Sequence, residues 1–240
     1  MRIDRFISES GTASRKEAAR VARTGGVVVD GVPVRDLSKH IDPELAEVVY
    51  LGKRIGYRRF TYVMLNKPEG YVSATEDTRL PVVTELLSPE LRKIELFPVG
   101  RLDRDTLGLM ILTNDGEAAH DLLSPRHHVE KEYAFRCDLP LPEGTEDRFA
   151  DCVTLADGYE CKPAGLVCDE DRLGGRITLT EGKYHQIKRM IAASSSHVTY
   201  LERVRFAEIP LDSALQRGEW RFLTAEEEAC LLSHTNRNKQ

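Results

Sequence analysis

Residues 99–116 read V-G-R-L-D-R-D-T-L-G-L-M-I-L-T-N-D-G, and the reading of the whole chain turns on them. Arg101-Leu102-Asp103-Arg104-Asp105 alternates bases and acids, bracketed by Gly100 and Gly108. Glycine permits turn conformations and close backbone approach. Leu109-Met110-Ile111-Leu112 is an apolar run of the length of a buried strand. Asn114-Asp115-Gly116-Glu117 predicts a helix start, with Asn114 as cap and Glu117 three residues on. A charged loop is thus pinned between a core strand and a helix, which suits a carboxylate that must be held still.

Outward from this stretch, the 240 residues are 41% apolar, which supports one large domain, or one large and one small. No apolar run is long enough to span a membrane, and Met1-Arg2-Ile3-Asp4 does not open a signal peptide. The five cysteines, at 137, 152, 161, 168 and 230, are odd in number and form no C-x-x-C. Reduced thiols in a cytoplasm are the expectation. The net charge of −5 is unevenly spread. Residues 1–59 hold 12 Lys+Arg and 8 Asp+Glu, and residues 60–240 hold 22 and 31. That asymmetry suggests a basic binding module, 1–59, on an acidic body, 60–240, although surface variation alone can produce it.

Ile3, Phe6 and Ile7 predict a first helix, leaving Arg2 and Arg5 to point elsewhere. Ser14-Arg15-Lys16-Glu17 is a capping box for a second. On a helical wheel Arg15, Lys16, Arg20 and Arg23 fall within an arc of roughly 140°, a face suited to phosphates or to plain solvation. Val27–Val29, Asp30-Gly31 and Val32–Val34 predict a hairpin. Gly52 to Arg59 reads as a basic linker.

Further strands are expected at Tyr62–Leu65, Gly70–Val72, Lys131–Asp138, Arg176–Thr180 and Val198–Arg205. Asn66-Lys67-Pro68 predicts a turn, Leu80–Leu87 a short helix, and Glu117–Leu123 a helix stopped by Ser124-Pro125. Ile187, Met190 and Ile191 form a helical core stripe, and Thr224 caps a last helix. Strands and helices mix without regular βαβ spacing, which favours α+β on a mixed sheet.

The chain has no G-x-S-x-G, P-loop or G-x-G-x-x-G, so serine hydrolysis, NTP hydrolysis and dinucleotide redox lack support. Asp103 and Asp105 have D-x-D spacing, but Leu107 stands where a third calcium ligand belongs, which disfavours a metal site or a metal-dependent transferase. What remains is a carboxylate among arginines, fit to act as nucleophile or base. Asp105 fits an Asx turn in the same loop.

Seven motifs carry a resemblance. R-x-D-x-F-I, S-R-K-E-A and V-x-V-D-G over residues 1–45 resemble the S4 RNA-binding module. G-R-L-D-R-D-T-L-G-L-M-I-L-T-N-D-G resembles the signature of the RsuA-type ribosomal RNA pseudouridine synthases. L-N-K-P-x-G-Y-V (65–72), S-P-R-H-H-x-E-K-x-Y (124–133) and E-G-K-Y-H-Q-I-K-R-M (181–190) follow in the family's order. The resemblance implies an S4 domain followed by a synthase domain on a mixed, mostly antiparallel sheet with flanking helices. It implies an enzyme that breaks the N1–C1′ bond of a uridine, turns the uracil and rejoins it through C5, with no cofactor and no metal.

By the same resemblance Asp103 is the catalytic aspartate, Tyr133 stacks on the base and Lys188 pairs with Asp103. Unaided, the alternating pattern around Tyr133 fits a core tyrosine, Lys188 fits a solvated lysine, and Arg189 competes for its role. RNA contacts are expected from Arg2, Arg5, Arg15, Lys16, Arg20, Arg23, Arg101, Arg126, His127, His185 and Arg189. Tyr184-His185-Gln186 and Arg126-His127-His128 resemble the 16S branch, of the type that modifies uridine 516. The alternatives are a 23S enzyme and a non-catalytic S4 assembly protein. A monomer is expected. Lys183 and Ser194-Ser195-Ser196 depart from the family pattern.

Overall fold

A computed structural model describes residues 1–56, 59–124 and 126–236. The chain divides into two compact units, Met1–Thr61 with Leu87–Leu96, and Tyr62–Leu86 with Phe97 onward.

The first unit follows its local signals. Helix α1 (Ile3–Glu9) buries Ile3, Phe6 and Ile7, and α2 (Arg15–Arg23) buries Ala18 and Ala22. Ser14 Oγ accepts from the Glu17 amide at 3.3 Å, and the Glu17 carboxylate accepts from the Ser14 amide at 2.9 Å, closing the capping box. Asp30 and Gly31, both at positive φ, turn β1 (Val27–Val29) into β2 (Val32–Pro33). Residues 52–55 differ from a linker. Leu51 and Gly52, also at positive φ, form a second tight turn between β3 (Val48–Tyr50) and β4 (Lys53–Ile55). Strand order is β2-β1-β3-β4. Of the predicted basic tail, Tyr57 and Arg58 lie outside the described residues.

The helix expected over 80–87 is a single 3-10 turn at Val83–Leu86. The regular helix is α3 (Pro89–Arg92), because Ser88 caps it by accepting from Leu91 N, and Pro89 fits its first turn.

Among its described residues, the second unit is built on nine strands. In chain order they are β5 (Tyr62–Lys67), β6 (Phe97–Pro98), β7 (Leu107–Thr113), β8 (Lys131–Cys137), β9 (Gly165–Cys168), β10 (Gly174–Leu179), β11 (Val198–Phe206), β12 (Ile209–Pro210) and β13 (Trp220–Phe222). Spatial order is β13-β5-β7-β11-β8-β10-β9, with β6 beside β7 and β12 beside β11. Every pairing is antiparallel except β7 with β11. The helices are α4 (Gly116–Leu123), α5 (Thr145–Asp151), α6 (Gln186–Ala192) and α7 (Ala225–Ser233). This is the expected α+β arrangement.

All six residues of β5 are buried, as is β7 from Gly108 onward, as befits central strands covered on both faces. That run includes Lys67, which spacing assigns to a turn. Gly70–Val72 is not a strand; Val72 makes one isolated bridge to Val82. The cap of α4 is Asp115, not Asn114. Its buried carboxylate accepts from Ala118 N at 3.1 Å and from the Tyr62 hydroxyl at 2.6 Å. The α4 stop at Ser124 is followed by Pro125, which lies outside the described residues. Among the described residues no helix is long and apolar enough to cross a membrane.

Candidate active site

The loop between β6 and β7 carries Asp103, and three neighbours hold its backbone. Ser73 Oγ donates to the Leu102 carbonyl at 2.7 Å and accepts from the Leu102 amide at 3.0 Å. Gly70 N donates to the Arg104 carbonyl at 2.9 Å. Lys67 Nζ donates to the carbonyls of Thr106, Pro68 and Arg104 at 2.8, 3.1 and 3.2 Å. Lys67 is fully buried, and burial pushes its ammonium down to about 8, with Asp105 and Asp103 opposing. So the Leu65–Val72 motif clamps the charged loop. A lysine ending an apolar strand run was the available signal for Lys67; nothing in the sequence marks Ser73.

The opposite wall comes from the loop before α6. Glu181, buried, accepts from Gln186 Nε2 at 2.6 Å, Tyr159 OH at 2.9 Å and Lys162 N at 3.0 Å. Gln186 Oε1 accepts from Lys183 N at 2.9 Å. These bonds hold His185 in the left-handed region, at φ 49°, a conformation that surrounding structure must enforce. Its ring stacks on the exposed ring of Tyr184 at 3.9 Å, and its Nε2 lies 3.6 Å from Asp103 Oδ1. Lys188, in the first turn of α6, reaches Asp103 Oδ2 at 3.1 Å and Asp105 Oδ1 at 2.6 Å.

Asp105 therefore differs from a loop-scaffolding Asx turn: it shares one ammonium with Asp103. Burial works against the Lys188 charge, yet the bonds to Asp105 and Asp103 outweigh it and raise its pKa. Burial likewise works against the Asp105 charge, and Lys188 outweighs it, so the Asp105 carboxyl is lowered. At neutral pH the lysine and Asp105 are both ionised.

Tyr133 lines the same cavity as Asp103, from β8. Arg203 on β11 is directly opposite it in the sheet. The Arg203 guanidinium donates from Nε to the Leu109 carbonyl at 2.7 Å and lies 5.3 Å from the Phe206 ring centre. Lys131, two residues before Tyr133, is also buried and lines the cavity. Its Nζ donates to the Val129 carbonyl at 2.7 Å. Burial first, and Arg203 second, push it down to about 8. Sequence spacing singled out neither cation.

These buried lysines set a pH dependence of stability. Unfolded, Lys67 and Lys131 return to an ordinary value near 10.5; folded, each lies at about 8. Between those values the unfolded chain holds protons that the folded chain has shed, so raising pH through the window stabilises the fold. Urea unfolding of wild type and Lys131→Met at pH 7 and pH 9.5 tests this. Wild type is expected to gain roughly 2 kcal/mol on the variant over that range. Parallel pH profiles would contradict the lowered lysine.

The other expected RNA contacts are scattered. Arg15, Lys16, Arg20 and Arg23 lie exposed on α2. Arg2 pairs with Asp4 at 2.7 Å and Arg5 with Glu9 at 2.6 Å. Arg101 is exposed at the cavity, and Arg126 is exposed but does not line it. His127 Nε2 lies 3.9 Å from Asp121 Oδ1. Arg189 pairs with Asp157, away from Asp103. Among the described residues no group of three or more His, Cys, Asp or Glu is placed to hold a metal.

Comparison with known proteins gives the family. Residues 61–193 match the RNA pseudouridylate synthase family model, and residues 1–45 match the S4 domain. The chain belongs to the RNA pseudouridylate synthase family. It is 44% identical over 95% of its length to an uncharacterized RNA pseudouridine synthase, YtzG, of Bacillus subtilis, covering 96% of that protein. It is 41% identical to ribosomal small subunit pseudouridine synthase A of Escherichia coli, covering 97% of this chain and all of that one. A solved pseudouridylate synthase structure superposes with TM-score 0.68 at 34% identity, over 96% of this chain and 99% of that one. The chain is thus an RNA-modifying isomerase of the RsuA type, and RNA is its substrate.

Proposed function

We propose that this synthase converts a uridine of 16S rRNA, at position 516, to pseudouridine, with Asp103 as the reactive carboxylate. The observation that carries the chemistry is the Asp103–Lys188 pair at 3.1 Å in a cavity walled by Tyr133. The choice of 16S rests on the full-length similarity to the Escherichia coli small-subunit enzyme.

In this reading the uridine leaves its stack and enters the cavity, at a cost of a few kcal/mol. Tyr133 supplies the flat face on which the uracil stacks. Lys188 orients Asp103 beside the ribose, and His185 flanks its other oxygen. Attack on C1′, addition at C6 and removal of a ribose proton all need that oriented carboxylate. The basic face of α2 supplies salt-dependent affinity for the RNA backbone, and Arg101 lies exposed where a flanking phosphate would pass. The protein works as a monomer in the cytoplasm, where its five free cysteines stay reduced.

The test is to incubate the protein with unmodified 16S and 23S transcripts, free and as subunit particles, and to map pseudouridine. A single new site in 16S RNA is expected. Modification of 23S RNA alone would overturn the substrate, and tight binding with no modification would overturn the reaction.

A further inference from the structure

Lys131 and Arg203 sit against the cavity that holds Asp103 and Tyr133, only 9% and 2% exposed. Among the described residues neither meets a carboxylate. Lys131 has the Val129 carbonyl, and Arg203 has the Leu109 carbonyl and the Met110 sulfur. Both charges flank one ring, Phe206, at 5.6 and 5.3 Å. Lys188, by contrast, holds two acids.

Buried charges are normally paired, and an unpaired one is costly. The Phe206 ring face attracts each cation, but it is no counter-charge, and two like charges near one ring repel. The pair makes sense if the cavity receives an anion.

The reaction produces one there. Breaking C1′–N1 leaves the bonding electrons on the uracil nitrogen, spread over O2 and O4, and leaves C1′ electron-poor opposite the Asp103 carboxylate. The ring then turns, and its C5 supplies the pair that forms C1′–C5. C5 loses a proton and N1 gains one, so the change is an isomerisation with no added reactant. Between the two bonds the ring is an anion near a carboxylate, in a site that must exclude water.

We infer that Lys131 and Arg203 form an anion site for the detached uracil ring, holding the charge on its carbonyl oxygens until C5 rejoins C1′. This rests on the reading of Asp103 above. A backbone phosphate is the other anion that a nucleotide brings. It is charged before the reaction as well as during it, so a phosphate site would set KM, whereas a site for the ring anion sets kcat.

The experiment uses Lys131→Met, Arg203→Gln and the charge-keeping Arg203→Lys in the full-length protein. Lys131→Met is the primary variant, because it retains the apolar stem; thermal melting confirms its fold. Each is assayed on 16S transcripts carrying uridine or 5-fluorouridine at the target, reading loss of the target nucleoside. On uridine, kcat should fall about 10²–10³-fold in Lys131→Met and Arg203→Gln, with KM nearly unchanged. Arg203→Lys should lose less. On 5-fluorouridine the deficit should shrink about tenfold, because fluorine itself stabilises the ring anion.

A rise in KM with kcat intact would assign the cations to a phosphate and overturn the inference. Equal deficits on both substrates would make them structural and also overturn it. Variants at wild-type rates beside an active wild type overturn this inference alone. A wild type that modifies no transcript overturns the reading of Asp103 together with it.

Discussion

Asp103→Asn is expected to abolish pseudouridine formation, by about 10⁴-fold or more, while RNA affinity and fold stay at wild-type levels. Asparagine matches aspartate in size and keeps one oxygen for Lys188. Lys188 in turn retains Asp105 at 2.6 Å, so its ammonium stays anchored. What disappears is the negative charge that every route through Asp103 requires. The clamps on the loop, from Ser73, Gly70 and Lys67, are all to backbone atoms and survive the change. Mapping of pseudouridine in a 16S transcript, beside filter binding at several salt concentrations, separates chemistry from binding. Pseudouridine at the wild-type rate would remove Asp103 from the reaction.

Gly108→Ala is expected to cost more than about 3 kcal/mol of stability, or to prevent folding. Gly108 has φ +94°, and a Cβ built there would lie 2.3 Å from the Arg203 carbonyl oxygen and 2.7 Å from Glu202 Cγ. The oxygen belongs to the neighbouring parallel strand, β11, and has no flexible end that can swing aside. The strands must separate, taking with them the loop that carries Asp103 and the backbone of Arg203. Gly158→Ala is the control. It has φ +83° but nothing within 4 Å, so it carries backbone strain of about 1–2 kcal/mol only. Urea unfolding distinguishes them, and a Gly108 variant no less stable than the Gly158 variant would refute the close-approach argument.

Much of the fold was legible because its signals are local. The Ser14–Glu17 box, the Asp30-Gly31 turn, the alternation at Tyr133, Phe135 and Cys137, and the stripe Ile187, Met190, Ile191 each lie within one element. Errors arose where a tertiary contact overrode a local preference. Asp115 rather than Asn114 caps α4 because Tyr62, from a distant strand, also bonds it. Lys67 sits in a strand rather than a turn because loop carbonyls from residues 104 and 106 satisfy its ammonium inside the core.

The same division holds at the site. The spacing of residues 99–116 by itself determined that a carboxylate would be presented from a loop ahead of a core strand, and the ordered motifs determined the family and its RNA chemistry. Only the tertiary structure decided which groups surround that carboxylate. Lys188 and His185 arrive from more than eighty residues away, Asp105 turns to share the same ammonium, and Arg203 is buried under Tyr133 by the pairing of β8 with β11. Charge compensation depends on distances through space, which sequence spacing does not record. Hence the sequence shows a run of acids and bases, and the structure shows which charges are paired and that, among the described residues, Lys131 and Arg203 are buried at the cavity without an acid.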